Sequence, residues 1–201
     1  MVWGQTFNEI FDEYHPKIIL YLKRIVNPED AEDLAQEVFD KINRGLSSFQ
    51  GRSSLSTWIY RIATNTAIDK SRSAAYKYEK GHHSFEEETS HESPGATAAK
   101  ASPATDQLLI RKEMSDCINE FIDSLPPAYR TVIVLSDLEG FANKEIAEIL
   151  GVSLDNVKIR LHRARAKLKK ALQEGCDFYY IEGNTLACDR KQVQIMPKPP
   201  D

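Results

Sequence analysis

The most concentrated chemistry in the chain lies in one stretch, "VKIRLHRARAKLKKAL", residues 157–172, with Lys158, Arg160, Arg163, Arg165, Lys167, Lys169 and Lys170 and no acid. The formal net charge is −4; removing these seven from 26 basic residues leaves 19 against 30 acidic ones, or −11 for the remainder. Positive charge is therefore placed rather than spread. A charge run is ordinarily a solvated face, but solvated faces mix signs. Cations alone on one helix fit a polyanion, nucleic acid above all. Catalysis finds no comparable support: there is no Ser/His/Asp grouping, phosphate-cradling Gly loop or metal-spaced carboxylate cluster. The chain reads as a binding protein and not an enzyme, with no cofactor.

The thiols are the other chemically capable group. Three cysteines, an odd number, do not make a disulfide framework, and a reducing compartment keeps them as thiols. Cys176 and Cys188 have eleven residues between them, far from the Cys-x-x-Cys spacing of strong zinc sites, and His82, His83 and His91 stand elsewhere. The sequence thus assigns no metal site: residues 173–201 read as a docked extension with inert thiols, a redox or metal sensor being the other reading. Cys117, between Met114 and Phe121 at helical spacing, reads as core.

These groups need elements to position them. With 201 residues and 41% hydrophobic content the chain suits one or two soluble domains with real cores. No apolar run approaches the roughly 18 residues of a membrane span. The first residues lack signal-peptide order, so the expected location is the cytoplasm, without membrane insertion. "IFDEYHPKIILYLKRIV", "PEDAEDLAQEVFDKI" and "SLSTWIYRIATNTAIDKSR" repeat apolar residues at helical spacing, as Leu34, Val38, Phe39 and Ile42 do. "NPED" predicts a helix start, with Asn27 as cap, Pro28 in the first turn and two acids facing the positive helix end. From Tyr76 to Asp106 the chain is polar and without periodicity, a flexible linker. "LLIRKEMSDCINEFIDSL", "PAYRTVIVLSDLEG", "NKEIAEILG" and the basic stretch are again helical, Pro126 and Pro127 opening one helix and Gly140 closing it. "TVIVL" is β-branched, but no second strand is evident to pair with it. The fold class is all-α, in two small helical domains, with no internal repeat.

"FANKEIAEILGVSLDNVKIRLHRARAKL" sets two helices in tandem around a turn at Gly151 to Ser153. Gly151 can close the first in the left-handed conformation and Ser153 can cap the second, which is helix-turn-helix grammar. On a 3.6-residue wheel Val157, Leu161, Ala164 and Leu168 form a stripe predicted to pack on Ile146, Ala147 and Leu150. The opposite face presents Lys158, Ile159, His162 and Arg163, flanked by Arg160, Arg165 and Lys167. Such a face fits a DNA major groove, with residues near the helix start reaching base edges and flanking arginines holding phosphates.

Both halves together resemble the extracytoplasmic-function (ECF) sigma factors of bacterial RNA polymerase. "SLPPAYRTVIVLSDLEGFANKEIAEILGVSLDNVKIRLHRARAKL" is similar to their promoter-reading C-terminal domain, here 107–172. "DAEDLAQEVFDKI" and "SFQGRSSLSTWIYRIATNTAIDKSR" resemble their N-terminal domain, here 7–75, with the linker 76–106 between. The resemblance implies core RNA polymerase, promoter DNA and an anti-sigma factor as partners, promoter-specific initiation with melting as the activity, and a cytoplasmic protein. It implies that Asp33, Gln36 and Glu37 meet polymerase. It also implies that "FQGRSSLSTWIYRIATNTAIDKSR" opens the minus-ten element, with Arg52, Arg61, Lys70 and Arg72 as a basic track and the loop from Gln50 to Ser56, with Asn65 nearby, as a pocket for an unstacked base. Trp58 could stack on that base, though its spacing with Ile62 favours core. For the minus-thirty-five element it implies Asn156, Lys158, Ile159, Arg160, His162, Arg163 and Arg165. Here "NVKIRL" departs from the family's usual "TVKSRL": Asn156 can contact a phosphate or cap the helix, while Ile159 puts an apolar side chain on the DNA face and points to an unusual promoter sequence. The alternative is a stand-alone helix-turn-helix regulator, which leaves the N-terminal half unexplained.

Overall fold

The computed structural model describes residues 6–81, 103–181 and 185–191. Seven helices follow in order: α1 Phe7–Ile25, α2 Ala31–Leu46, α3 Leu55–Gly81, α4 Pro103–Asp123, α5 Pro127–Ile133, α6 Asn143–Leu150 and α7 Leu154–Gly175. Two strands, β1 Cys176–Ile181 and β2 Thr185–Arg190, follow. Contacts divide the described residues into two units. One joins those of Met1–Ser90 with Pro126–Ala164, the other those of His91–Leu125 with Arg165–Asp201. This grouping cuts across chain order, because α6 packs on α3.

In the first unit α1, α2 and α3 pack on one another. Thr6 and Glu9 form a reciprocal cap at the start of α1. The predicted stripe Leu34, Val38, Phe39 and Ile42 is buried, joined by Ala31 and Ala35. "NPED" behaves differently from expectation. Pro28–Asp30 is a single 3₁₀ turn, Asn27 makes no side-chain cap bond, and α2 begins only at Ala31. The "TVIVL" run is helical: Val132, Ile133, Val134 and Leu135 are all buried, so tertiary burial outweighs β-branched propensity. The helix widens over Val134–Leu138 into a π turn, with Glu139 N–H reaching the Val134 carbonyl at 2.9 Å. Gly140 then takes φ 77° and ends it.

The α3 helix carries three buried threonines, Thr57, Thr64 and Thr66, and each hydroxyl is bonded. Thr66 accepts from Lys41 Nζ at 3.0 Å and donates to the Ile62 carbonyl at 2.9 Å. Thr57 bonds Glu145 at 3.3 Å, and Glu145 also accepts the Ala142 N–H at 3.0 Å, which anchors the start of α6 to α3. Glu139 accepts the Tyr60 hydroxyl at 2.6 Å and pairs with Arg24 at 3.7 Å. Burial, then the Glu139 contact, raises the Tyr60 phenol above its ordinary range, so the bond is a neutral hydroxyl donating to a carboxylate.

The second unit corrects the reading of the tail. Strands β1 and β2 pair as an antiparallel hairpin in which Cys176 opposes Arg190 and Phe178 opposes Cys188. The two strands absent from the helical reading pair with each other. The hairpin is docked on α4 by Arg190, which pairs with Glu120 at 2.6 Å and lies 5.4 Å from the centre of the Phe121 ring. A Cβ at Gly175 would stand 2.5 Å from the tip of the Phe121 ring, so a larger residue joining α7 to β1 would require that ring to shift. Cys117 does not stand apart in a core: its sulfur lies 3.8 Å from that of Cys176, and Cys188 joins them. Burial, followed by the bond to Cys117, pushes the Cys176 thiol up to about 11, and burial raises Cys188 as well. Such thiols are mostly protonated at neutral pH and weakly nucleophilic.

Of the 76–106 segment, 76–81 closes α3 and 103–106 opens α4, the latter with Pro103 at the first helical position. Residues 82–102, including His82, His83 and His91, lie outside the described residues, as do 192–201.

The buried Tyr21–Thr64 pair gives a stability prediction. Thr64 spends its proton on the Tyr60 carbonyl at 2.7 Å, so Tyr21 must be the donor in the 2.7 Å bond between the two hydroxyls. Thr64→Val should then strand a buried Tyr O–H and cost about 1–3 kcal/mol, whereas Tyr21→Phe should cost only about 0.5–1.5. Urea unfolding midpoints should rank them in that order, and adding Tyr21→Phe to Thr64→Val should restore part of the loss. The reverse ranking would reverse the donor assignment.

Candidate nucleic-acid interface

The turn between α6 and α7 forms as its residues demand. Gly151 takes φ 63°, and its N–H bonds the Ala147 carbonyl. Ser153 Oγ accepts the Asn156 N–H at 3.2 Å, capping α7. Val157, Leu161 and Ala164 are buried, while Leu168 is half-buried. Below them Ile146 and Ile149 are buried, and Ala147 and Leu150 only half-buried, so Ile149 is a core residue the wheel had not named.

With that stripe turned inward, Lys158, Ile159, His162, Arg163, Arg165 and Lys167 are exposed, and Asn156 and Arg160 are half-buried. Ile159 is 52% exposed, an apolar side chain set among cations. Lys158 pairs with Asp155 at 3.6 Å, an exposed contact worth little and easily exchanged for another anion. Asn156, Ile159, Arg160 and Arg163 also line a groove of about 460 Å³ with Pro126, Ala128 and Tyr129. The last three went unnoticed in the sequence, where Pro-Pro-Ala-Tyr reads only as a helix start. The Asn156 Oδ1 atom is buried without a hydrogen-bond partner among the described residues, so an incoming donor would complete it.

A second basic surface follows α3. Arg52, Arg61, Asn65, Lys70 and Arg72 are all exposed, and Lys70 pairs with Asp30 at 3.2 Å. At its start lies a cleft of about 230 Å³ lined by Ser48, Phe49, Gln50, Arg52, Ser53, Trp58 and Arg61. Trp58 is half-buried, with its ring 5.0 Å from Phe49 and its edge against Gly45, where a Cβ would come within 3.0 Å. It serves both as packing and as cleft wall. Asn65, one helical turn beyond Arg61, does not line the cleft.

On α2, Asp33, Gln36 and Glu37 are exposed on the face opposite the buried stripe, beside Glu32 and Asp40. Glu37 also reaches Lys41 at 2.8 Å. The three sets therefore lie on α2, on α3 with Arg52 in the loop before it, and on α7 with Asn156 in its first turn. The only cluster of three or more metal-capable side chains among the described residues is that of Cys117, Cys176 and Cys188, and none of the three sets belongs to it.

Both halves of the chain are similar to known proteins. Residues 10–84 match sigma-70 region 2, and residues 115–168 match sigma-70 region 4. The chain is 36% identical over 166 residues to the RNA polymerase sigma factor YlaC of Bacillus subtilis, covering 82% of this chain and 91% of that one. It is 36% identical over 174 residues to the ECF RNA polymerase sigma factor SigW of the same organism, covering 84% and 90%. The ECF RNA polymerase sigma-E factor of Escherichia coli is 32% identical over 169 residues, with 84% and 87% covered. In fold it is similar to the sigma factor RpoE of Bartonella quintana, solved in complex with the anti-sigma factor NepR, at TM-score 0.64 and 21% identity over 83% of this chain and 96% of that one. With regions 2 and 4 present in order, and relatives matched over most of their length, the chain belongs to the sigma-70 family of RNA polymerase sigma factors, in its extracytoplasmic-function group.

Proposed function

We propose that this sigma factor works in the cytoplasm purely by binding, with α2 on core RNA polymerase, α3 on the opened minus-ten element and α7 on the minus-thirty-five element. The observation that carries this reading is the separate exposure of three chemically distinct faces: acidic on α2, basic with a cleft on α3, basic on α7. Region 2 at 7–75 and region 4 at 107–172 are the functional parts, with 76–106 as linker. No helix among the described residues is long and apolar enough to cross a membrane.

On α2 the apolar stripe is consumed by the core, so Asp33, Gln36 and Glu37 are left to offer carboxylates and an amide to a basic surface of polymerase. On α3 the exposed cations follow a single strand, and the cleft beside Trp58 can hold a base by stacking and hydrogen bonds. On α7, Lys158 and Arg163 face the base edges while Arg160 and Arg165 hold phosphates. Exposed Ile159 suits a thymine methyl, which gives the apolar residue a partner that a small polar one lacks. An anti-sigma factor is the further partner, covering one or more of these faces.

Transcription in vitro with core polymerase and a genomic promoter library tests the whole reading, since promoter-directed transcripts should require the chain. Failure to transcribe from any promoter, with tight duplex binding by the chain alone, would favour a stand-alone regulator. Charge reversal at Asp33 and Glu37 together should lower affinity for core polymerase at least tenfold while leaving the circular dichroism unchanged, the buried face being untouched. Asn65→Ala should preserve closed-complex formation and slow strand opening, because it meets only an exposed base; equal opening rates on intact duplex would remove Asn65 from the site. Arg163→Ala should cost about 1–3 kcal/mol on the preferred upstream element and relax the choice at one base position. Arg165→Ala should weaken binding to all sequences alike, reducing the salt dependence by about one counterion. Uniform losses from both, measured with holoenzyme, would make α7 an electrostatic anchor without base readers.

A further inference from the structure

We propose that Cys117, Cys176 and Cys188 form a three-thiolate site for a soft, thiophilic metal ion. The site rests on convergence. Three sulfur atoms from three elements, α4, β1 and β2, lie within 4.8 Å of one another, and two of them stand 3.8 Å apart. Thiolates bound at about 2.3 Å around a tetrahedral centre are separated by roughly 3.8 Å, and around a planar three-fold centre by roughly 4.0 Å. The separations present thus need closure of only a fraction of an ångström to about one to seat an ion.

The local structure holds the donors for this. In the hairpin register Cys176 and Cys188 are diagonal neighbours on one face, since Phe178 opposes Cys188 and Cys176 opposes Arg190. That face is turned to α4, where Cys117 stands, and the Arg190–Glu120 pair together with the Phe121–Gly175 contact fixes the approach. Cys176 is buried and the other two half-buried, so the group is shielded yet reachable by an ion. A disulfide would consume two sulfurs and strand the third, whereas a metal ion uses all three. No His, Asp or Glu joins them among the described residues, so the donor set is all sulfur, which selects thiophilic ions over magnesium or calcium. Sequence spacing conceals the site because its third ligand lies 59 residues before Cys176.

A bound ion would cross-link α4 to the hairpin that continues α7. It closes a long loop as well as a short one, and so should raise thermal stability. The test uses the full chain, reduced and freed of metal, titrated anaerobically with Co²⁺ as a spectroscopic probe, with Zn²⁺, and with Cu⁺ against a competing chelator. One equivalent should bind, with sulfur-to-cobalt charge-transfer absorption for Co²⁺ and a raised melting temperature for whichever ion binds most tightly. Cys117→Ser, Cys176→Ser and Cys188→Ser should each weaken binding roughly 100-fold or more and abolish the melting shift. Circular dichroism identifies any variant that fails to fold; Cys188→Ser, being half-buried, provides the folded comparison. Undiminished binding in Cys117→Ser would overturn the three-element site, as would the absence of binding tighter than about micromolar for all three ions. Transcription is not the readout, so the proposal stands or falls apart from the promoter assignments.

Discussion

Helix α3 must bury against α1 and α2 on one side and against α6 on another, yet keep a cationic edge in solvent. A helix with large apolar residues all round could not do this. The solution is three buried threonines, small enough for close approach, each with a hydroxyl that meets a specific partner: Tyr21, Lys41 or Glu145. Two of them, Thr64 and Thr66, return their protons to the α3 backbone, so the polar atoms carry no desolvation debt. Arg61, Asn65, Lys70 and Arg72 remain outside, together with Ile68, Asp69 and Ser71. The exposed basic edge therefore follows from how α3 is packed.

The acids divide along similar lines. Glu139 and Glu145 are drawn inward, where they receive hydroxyl and amide protons and tie the 126–164 segment to α1 and α3. Asp33 and Glu37 are left outside with the α2 surface. In a chain of net charge −4, exposed positive charge is concentrated on α7 and along α3, so attraction for a polyanion would be strongest there.

The helices and the division into buried and exposed faces are legible in the sequence because each depends on local periodicity and local caps. The Leu34–Ile42 stripe, the Gly151 turn, the Ser153 cap and the burial of Val157, Leu161 and Ala164 all emerged as read. What escaped depends on contacts between residues far apart. Glu139 and Glu145 carry no sequence signal of their contacts, since nothing near them in the chain reveals Tyr60 or Thr57. The groove at Tyr129 and the cleft at Phe49 are formed by residues from different elements. The pairing of β1 with β2 gives no ligand-spacing signal, and each strand is too short for its alternation to stand out from the helical periodicity before it.

The thiol cluster is concealed in the sequence for the same reason. Spacing rules such as Cys-x-x-Cys describe ligands offered by one tight turn, and they fail when strand register does the positioning instead. Here β1 and β2 bring Cys176 and Cys188 to one face by their antiparallel register, and docking on α4 adds Cys117. Gly175 passes α7 directly into β1 and leaves the space that the end of the Phe121 ring fills. A side chain there would push that ring tip aside, whereas the sulfur positions follow from strand register and from docking on α4, where Arg190 pairs with Glu120. Chemistry that no local motif announces is thus assembled by register and docking alone.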